Sequence, residues 1–63
     1  MCEANAYILK NNNEEILLES VDIIQPLENN QWFIKNIFGE QMKITAKIKY
    51  ISLINHKIVF ENT

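Results

Sequence analysis

From Met42 the chain alternates almost without a break: Met42, Ile44, Ala46, Ile48 and Tyr50 fall on one face, and Lys43, Thr45, Lys47 and Lys49 on the other. A period of two over nine residues predicts a half-buried β-strand with its apolar side toward a core. Beyond it, Tyr50–Ile54 and Lys57–Phe60 are two apolar runs flanking the pair Asn55-His56. Asn tolerates positive φ, so that pair predicts a tight two-residue hairpin. Toward the N-terminus, Ala4–Leu9 reads as a first strand and Asn11-Asn12-Asn13 as a turn. Glu14–Ile24 is ambiguous, because Asn13 could cap a short helix with Glu14 and Glu15 in its first turn. The β-branched content of Ser20–Ile24 running into Pro26 favours strand, break, strand. Leu27–Asn30 reads as a turn, Gln31–Asn36 as a strand and Phe38-Gly39-Glu40 as the next turn. Five to seven short strands with tight connections and no crossover-length segment predict an all-β fold, a small antiparallel barrel.

The same alternation assigns a core. Met42, Ile44, Ala46, Ile48, one of Ile51 and Leu53, Ile58, Phe60, Ile34 and Val21 are expected inside, with Leu18 and Ile8 closing it. Trp32 and Phe33 are neighbours, so on a strand one of them faces outward and leaves a large apolar side chain to cover.

At 63 residues the chain is a single domain, 1–63, and a domain of this size buries only about 60% of the surface its unfolded form exposes. A partner is therefore expected. The one cysteine, Cys2, has no intramolecular disulfide partner, and the first residues lack a charged stretch followed by an apolar one. Both points favour a reducing cytoplasm over a secreted scaffold. No apolar run approaches the ~18 residues of a spanning helix. The net charge of −2 gives no general attraction for polyanions.

Four stretches carry a resemblance: the opening MCEANAYI, the central LLESVDIIQP, the turn NIFGEQ ahead of the alternating strand, and the closing ISLINHKIVFE. Together they resemble the CooT family of small nickel-binding proteins over nearly the whole chain. The Met-Cys start and the Phe-Gly-Glu turn are their most specific parts. The resemblance implies an SH3-like β-barrel that forms a homodimer, with a Ni(II) site built on the second-position cysteine, here Cys2. It also implies service to a nickel enzyme such as carbon monoxide dehydrogenase, as a nickel chaperone or store.

The chemistry of Cys2 points the same way. A thiolate is a strong ligand for late first-row metals, and Ni(II) accepts square-planar sets of sulfur and nitrogen donors. One thiolate per chain is too few. A two-fold axis would bring Cys2 of both subunits together, and backbone nitrogens near residues 2 and 3 would complete four donors. An exposed thiol without a role is the plainer alternative.

His56, the only histidine, is a second candidate ligand, although a residue in a turn between strands is more often a positive-φ or solvated position. No CxxC or HxxxH spacing supports zinc. Glu14, Glu15, Glu19 and Asp22 read as a solvated face rather than an acid–base pair, so the chain is expected to be a non-enzyme. The competing function is a small RNA-binding module that uses Lys43, Lys47 and Lys49 as a basic strand face, with Trp32, Phe33 and Tyr50 as stacking surfaces. Against it, lysines on an exposed strand also guard an edge, and alternation turns Tyr50 toward the core.

Overall fold

The computed structural model describes residues 3–62, and within them the chain is all-β. Six strands follow in order: β1 Ala4–Lys10, β2 Asn13–Pro26, β3 Gln31–Asn36, β4 Gln41–Thr45, β5 Lys47–Ser52 and β6 Lys57–Glu61. They form one sheet in the order β4-β3-β2-β1-β6-β5. Neighbours pair antiparallel except β1 and β6, which run parallel. The expected antiparallel barrel is corrected in two respects. The sheet is mixed, and among the described residues no ladder closes it between β4 and β5.

The turns follow their residues. Asn11 and Asn12 both adopt positive φ (51° and 66°) in a two-residue connection between the paired Lys10 and Asn13. This is the geometry of a primed hairpin turn, where Asn is favoured. Asn29, Asn30 and Gly39 take positive φ in the next two turns. Between β5 and β6 the two-residue hairpin is corrected to a four-residue loop, Leu53–His56, because Ser52 pairs with Lys57. Its positive φ (52°) falls on His56 and not on Asn55.

The ambiguous segment is neither a helix nor two strands. It is one long strand with a bend at Ser20, whose φ is 55°. Register shifts on both flanks mark β-bulges, which let a strand turn a corner. Glu14, Glu15, Ile16 and Leu18 pair with β1, Ile23–Pro26 pair with β3, and Val21 between them pairs with both Ala4 and Asn36. The bent backbone is still satisfied: Ser20 N–H donates to the Asn5 side chain at 3.0 Å, and Ser20 C=O accepts from Ile37 N–H at 3.0 Å.

A second irregularity divides the Met42–Tyr50 run. Fully buried Ala46 separates β4 from β5, the two terminal strands of the sheet. Because one residue joins the two ends, the sheet must roll until they meet at that corner. Ala46 N–H donates to Asn30 C=O (2.9 Å) and its C=O accepts from Trp32 Nε1 (3.0 Å). A further register shift between Ile48 and Tyr50 inverts the alternation. A one-residue slip exchanges the faces, so Tyr50 points away from the core and is 38% exposed.

The core inside the roll is Ala6, Ile8, Val21, Ile34, Ala46, Ile58 and Phe60, with Leu18, Trp32, Met42, Ile44 and Ile48 packed partly buried around it. Trp32 and Phe60 meet at 5.9 Å between ring centroids. The core position expected at Ile51 or Leu53 is corrected, since both are exposed. Two core residues were unforeseen, Ala6 and Val59. Val59 is fully buried on the opposite face from Ile58 and Phe60, because β6 lies between β1 and β5 with neighbours on both edges.

Candidate functional site

At the far end of β5 from Ala46 the roll does not close over its contents. The opening is a groove of about 410 Å³ whose floor is Ala4, Val21, Ile24, Ile51 and Ile58. The bend at Ser20 brings the second half of β2 to one wall, and the β5–β6 loop supplies the other through Leu53 and His56. Charged and polar groups stand at the rim: Glu3, Asp22, Ser52, His56 and Lys57. A mostly apolar recess with a few polar groups at its edge is the usual form of a binding site.

Cys2, the predicted metal ligand, lies outside the described residues. Its neighbour Glu3 lines the groove. His56 lines it too, and its backbone joins the loop to the first strand: Asn5 N–H donates to His56 C=O at 2.8 Å. Thus the histidine singled out in the sequence sits beside the N-terminal strand, a proximity that a separation of 51 positions between Asn5 and His56 does not announce. Among the described residues, no three His, Cys, Asp or Glu side chains are placed to hold a metal ion together.

A second cluster was not foreseen. On the outer face one residue from each of four adjacent strands, β2, β1, β6 and β5, contributes to it. Lys57 Nζ donates to Glu14 Oε1 at 2.6 Å, and Tyr50 O–H donates to Glu14 Oε2 at 2.5 Å. The ammonium also lies over Tyr7 and Tyr50, 5.3 and 5.8 Å from the ring centroids, within cation–π range. The hydrogen bond from Lys57, and then that from Tyr50, hold the Glu14 carboxyl below its ordinary 4.5. The same Glu14 bond raises Lys57 above 10.5. Glu14 is thus the centre of an outer-face tie rather than an idle member of a solvated face. The bulge that turns Tyr50 outward is what makes the cluster, and it left no mark in the sequence.

Of the predicted basic face, Lys43 lies on β4 and Lys47 and Lys49 on β5, all three exposed, with buried Ala46 between the two strands. Lys47 Nζ stands 4.0 Å from Glu61. Of the expected stacking residues, Trp32 packs on Phe60 and Tyr50 is bonded to Glu14.

The turn between β3 and β4 holds the other functional-looking residue. Buried Asn36 accepts N–H bonds from Phe38 (3.1 Å) and Glu40 (2.8 Å) on its Oδ1 and donates its Nδ2 to Glu40 Oε1 (2.7 Å). Asn side chains that bond their own following backbone build such turns. This turn carries Phe38 at 70% exposure.

Comparison with known proteins supplies the family. The model of the CO dehydrogenase accessory protein CooT matches residues 1–61. The chain belongs to the CooT family. A crystal structure assigned to CooT of Carboxydothermus hydrogenoformans is similar at 42% sequence identity, with a TM-score of 0.90 over 98% of each chain. No curated protein matches. A CooT is described as an accessory protein of CO dehydrogenase, so this family member assists an enzyme and is not itself one. No helix among the described residues is long and apolar enough to cross a membrane.

Proposed function

We propose that this CooT-family protein carries Ni(II) as cargo for a nickel enzyme such as carbon monoxide dehydrogenase, acting in the cytoplasm as chaperone or store. It binds the ion through the Cys2 thiolates of two subunits at the axis of a homodimer. The observation that carries this reading is the family match, which runs from residue 1 and so includes the Met-Cys start. The donor arithmetic supports it. Cys2 is the only thiol, and a single thiolate is too few for a Ni(II) donor set, which Cys2 of a second copy would extend. Glu3, the residue joined to Cys2, lines the groove, which supports it too.

Titration of the purified protein with Ni(II) is expected to give a thiolate-to-metal charge-transfer band that saturates at one ion per two chains. Cys2→Ser should abolish it. A band that survives Cys2→Ser, or one that saturates at one ion per chain, refutes the shared-thiolate site.

A further inference from the structure

Strand β4 ends the sheet and is paired on one side only, to β3. Two bonds that flank it fix which way its backbone points: Glu40 C=O accepts from Asn36 N–H, and Ala46 N–H donates to Asn30 C=O, both at 2.9 Å. Backbone groups alternate in direction along a strand, so Met42 and Ile44 turn theirs to β3. Gln41, Lys43 and Thr45 then aim their N–H and C=O groups at the open side. Among the described residues no turn or loop bond engages those three.

The other terminal strand is better protected. β5 carries a bulge between Ile48 and Tyr50 together with Lys47 and Lys49, and bulges and lysines both blunt an edge. β4 has a regular ladder without bulge or proline, and Lys43 is its one charge. On the outer face Lys43 stands across from Phe33 and diagonal to Lys35. Strands β3 and β4 contain these two lysines and no acidic residue. Glu40, just before β4, is already bonded to Asn36 Nδ2 at 2.7 Å. Among the described residues Lys47 and Lys57 enter ion pairs, and Lys35 and Lys43 do not. On the inner face Met42 and Ile44 pack against the core yet stay only partly buried.

We propose that the open edge of β4 takes up an extended segment of another protein as an added strand, with an acidic side chain beside Lys43 and apolar ones toward Met42 and Ile44. Main-chain bonds to Gln41, Lys43 and Thr45 supply the hold, and alternate side chains select the sequence. Charge decides the occupant. Lys43 is the middle residue of Gln41–Thr45, so a second copy paired antiparallel in full register would set Lys43 against Lys43. Like charges directly opposite destabilise such a pair. A carboxylate there meets two cations and no acid from either strand. The period of two makes the segment read acidic, apolar, acidic. This inference stands apart from the nickel reading and uses none of its residues.

The test titrates the full chain with three probes: a short capped peptide alternating Val and Glu, its counterpart with Lys in place of Glu, and a uridine oligonucleotide. Amide hydrogen exchange reports where each one binds. The Val–Glu peptide is expected to bind and to slow exchange most at Gln41, Lys43 and Thr45, since Met42 and Ile44 are already bonded to β3. Because Lys43 is exposed, Lys43→Glu should keep the wild-type circular dichroism, weaken this peptide at least about tenfold and gain the lysine peptide. Lys43→Gln serves as the milder replacement should the charge reversal fail to fold, and it should weaken the Val–Glu peptide without gaining the other. A Val–Glu peptide that does not bind, that binds Lys43→Glu as tightly as the wild type, or that leaves the three edge amides unprotected overturns the inference. An oligonucleotide that needs Lys43 where the peptide does not assigns the face to nucleic acid and overturns it too. Protection of Lys43 and Thr45 that rises with protein concentration alone gives the edge to a second copy, with the same result.

Discussion

The two ends of β5 differ in how the protein treats apolar surface. At the Ala46 corner, Ala46 and Phe60 are wholly buried, Trp32 packs on the Phe60 ring, and the Trp32 N–H and both backbone groups of Ala46 are hydrogen-bonded. At the other end, Ile51, Leu53 and Ile54 lie open to solvent around a groove whose floor is core. Both ends are built from the same residue types. What separates them is connectivity: one residue joins β4 to β5 and forces the sheet ends together, while the four-residue loop to β6 lets the opposite mouth stay wide. Apolar surface is sealed where the chain compels closure and left open where it does not.

The sharpest way to break this comparison is a pair of truncations, one at each end. Phe60→Ala removes the largest fully buried side chain and should cost about 3–5 kcal/mol. For a 63-residue domain that is comparable to its whole stability, so the cooperative thermal transition should disappear. Leu53→Ala should stay within about 0.5 kcal/mol when measured on monomer at high dilution. Equal losses at the two positions would show that the mouth is packed in solution.

A medium effect is expected at the β3–β4 turn, which like the β5–β6 loop is exposed at its tip but is held from beneath. Asn36→Ala deletes the acceptor of the Phe38 and Glu40 N–H groups, at a cost of about 1–3 kcal/mol. Amide exchange at Phe38 and Glu40 should accelerate above the change in global stability. Exchange that merely tracks global unfolding would mean that the turn does not depend on Asn36.

The smallest effect belongs to the outer-face tie, which binds the free end of the roll across four strands. Glu14 sits below its ordinary 4.5, so its contribution is complete above that pH and is lost as the pH falls through the lower folded value. Lys57 behaves in mirror image: its contribution is complete below 10.5 and is lost as the pH rises through the raised folded value. Glu14→Gln should therefore lower the melting temperature slightly near neutrality and flatten its decline on the acid side of 4.5. An acid flank identical to the wild type's would remove Glu14 from the account of acid lability. Since the groups are solvated, added salt should also shrink the difference.

Much of the fold was legible because its signals are local. The strand Gln31–Asn36, the Asn-rich turns and the Phe-Gly-Glu turn follow from side-chain period and from the residues that accept positive φ. The helix that Asn13 could have capped does not form, because Glu14–Leu18 are already satisfied by pairing to β1. Misplaced residues cluster after the irregularities. Tyr50, Ile51 and Leu53 were assigned by extending one alternation through Ala46 and past Lys49, where a break and a register shift restart it. Of the candidate site, Cys2 and His56 stand out in the sequence as unique residues, whereas the groove and the Glu14–Tyr50–Lys57 cluster do not.

The sequence by itself determined the strand Gln31–Asn36 and most of the other strand segments, the Asn-rich and Phe-Gly-Glu turns, that the chain holds a single thiol at Cys2, and the family. Those properties depend on a residue and its near neighbours, so they can be read along the line. Tertiary structure alone decided that β1 and β6 run parallel, that β2 bends at Ser20 to serve both β1 and β3, and that the sheet ends meet at Ala46. It likewise decided that Leu53 and Ile54 stand beside a recess near Glu3. These depend on where a bulge falls and on which distant strand a backbone finds as its partner. A shift of one residue in register exchanges the two faces of a strand while leaving every residue in place along the chain.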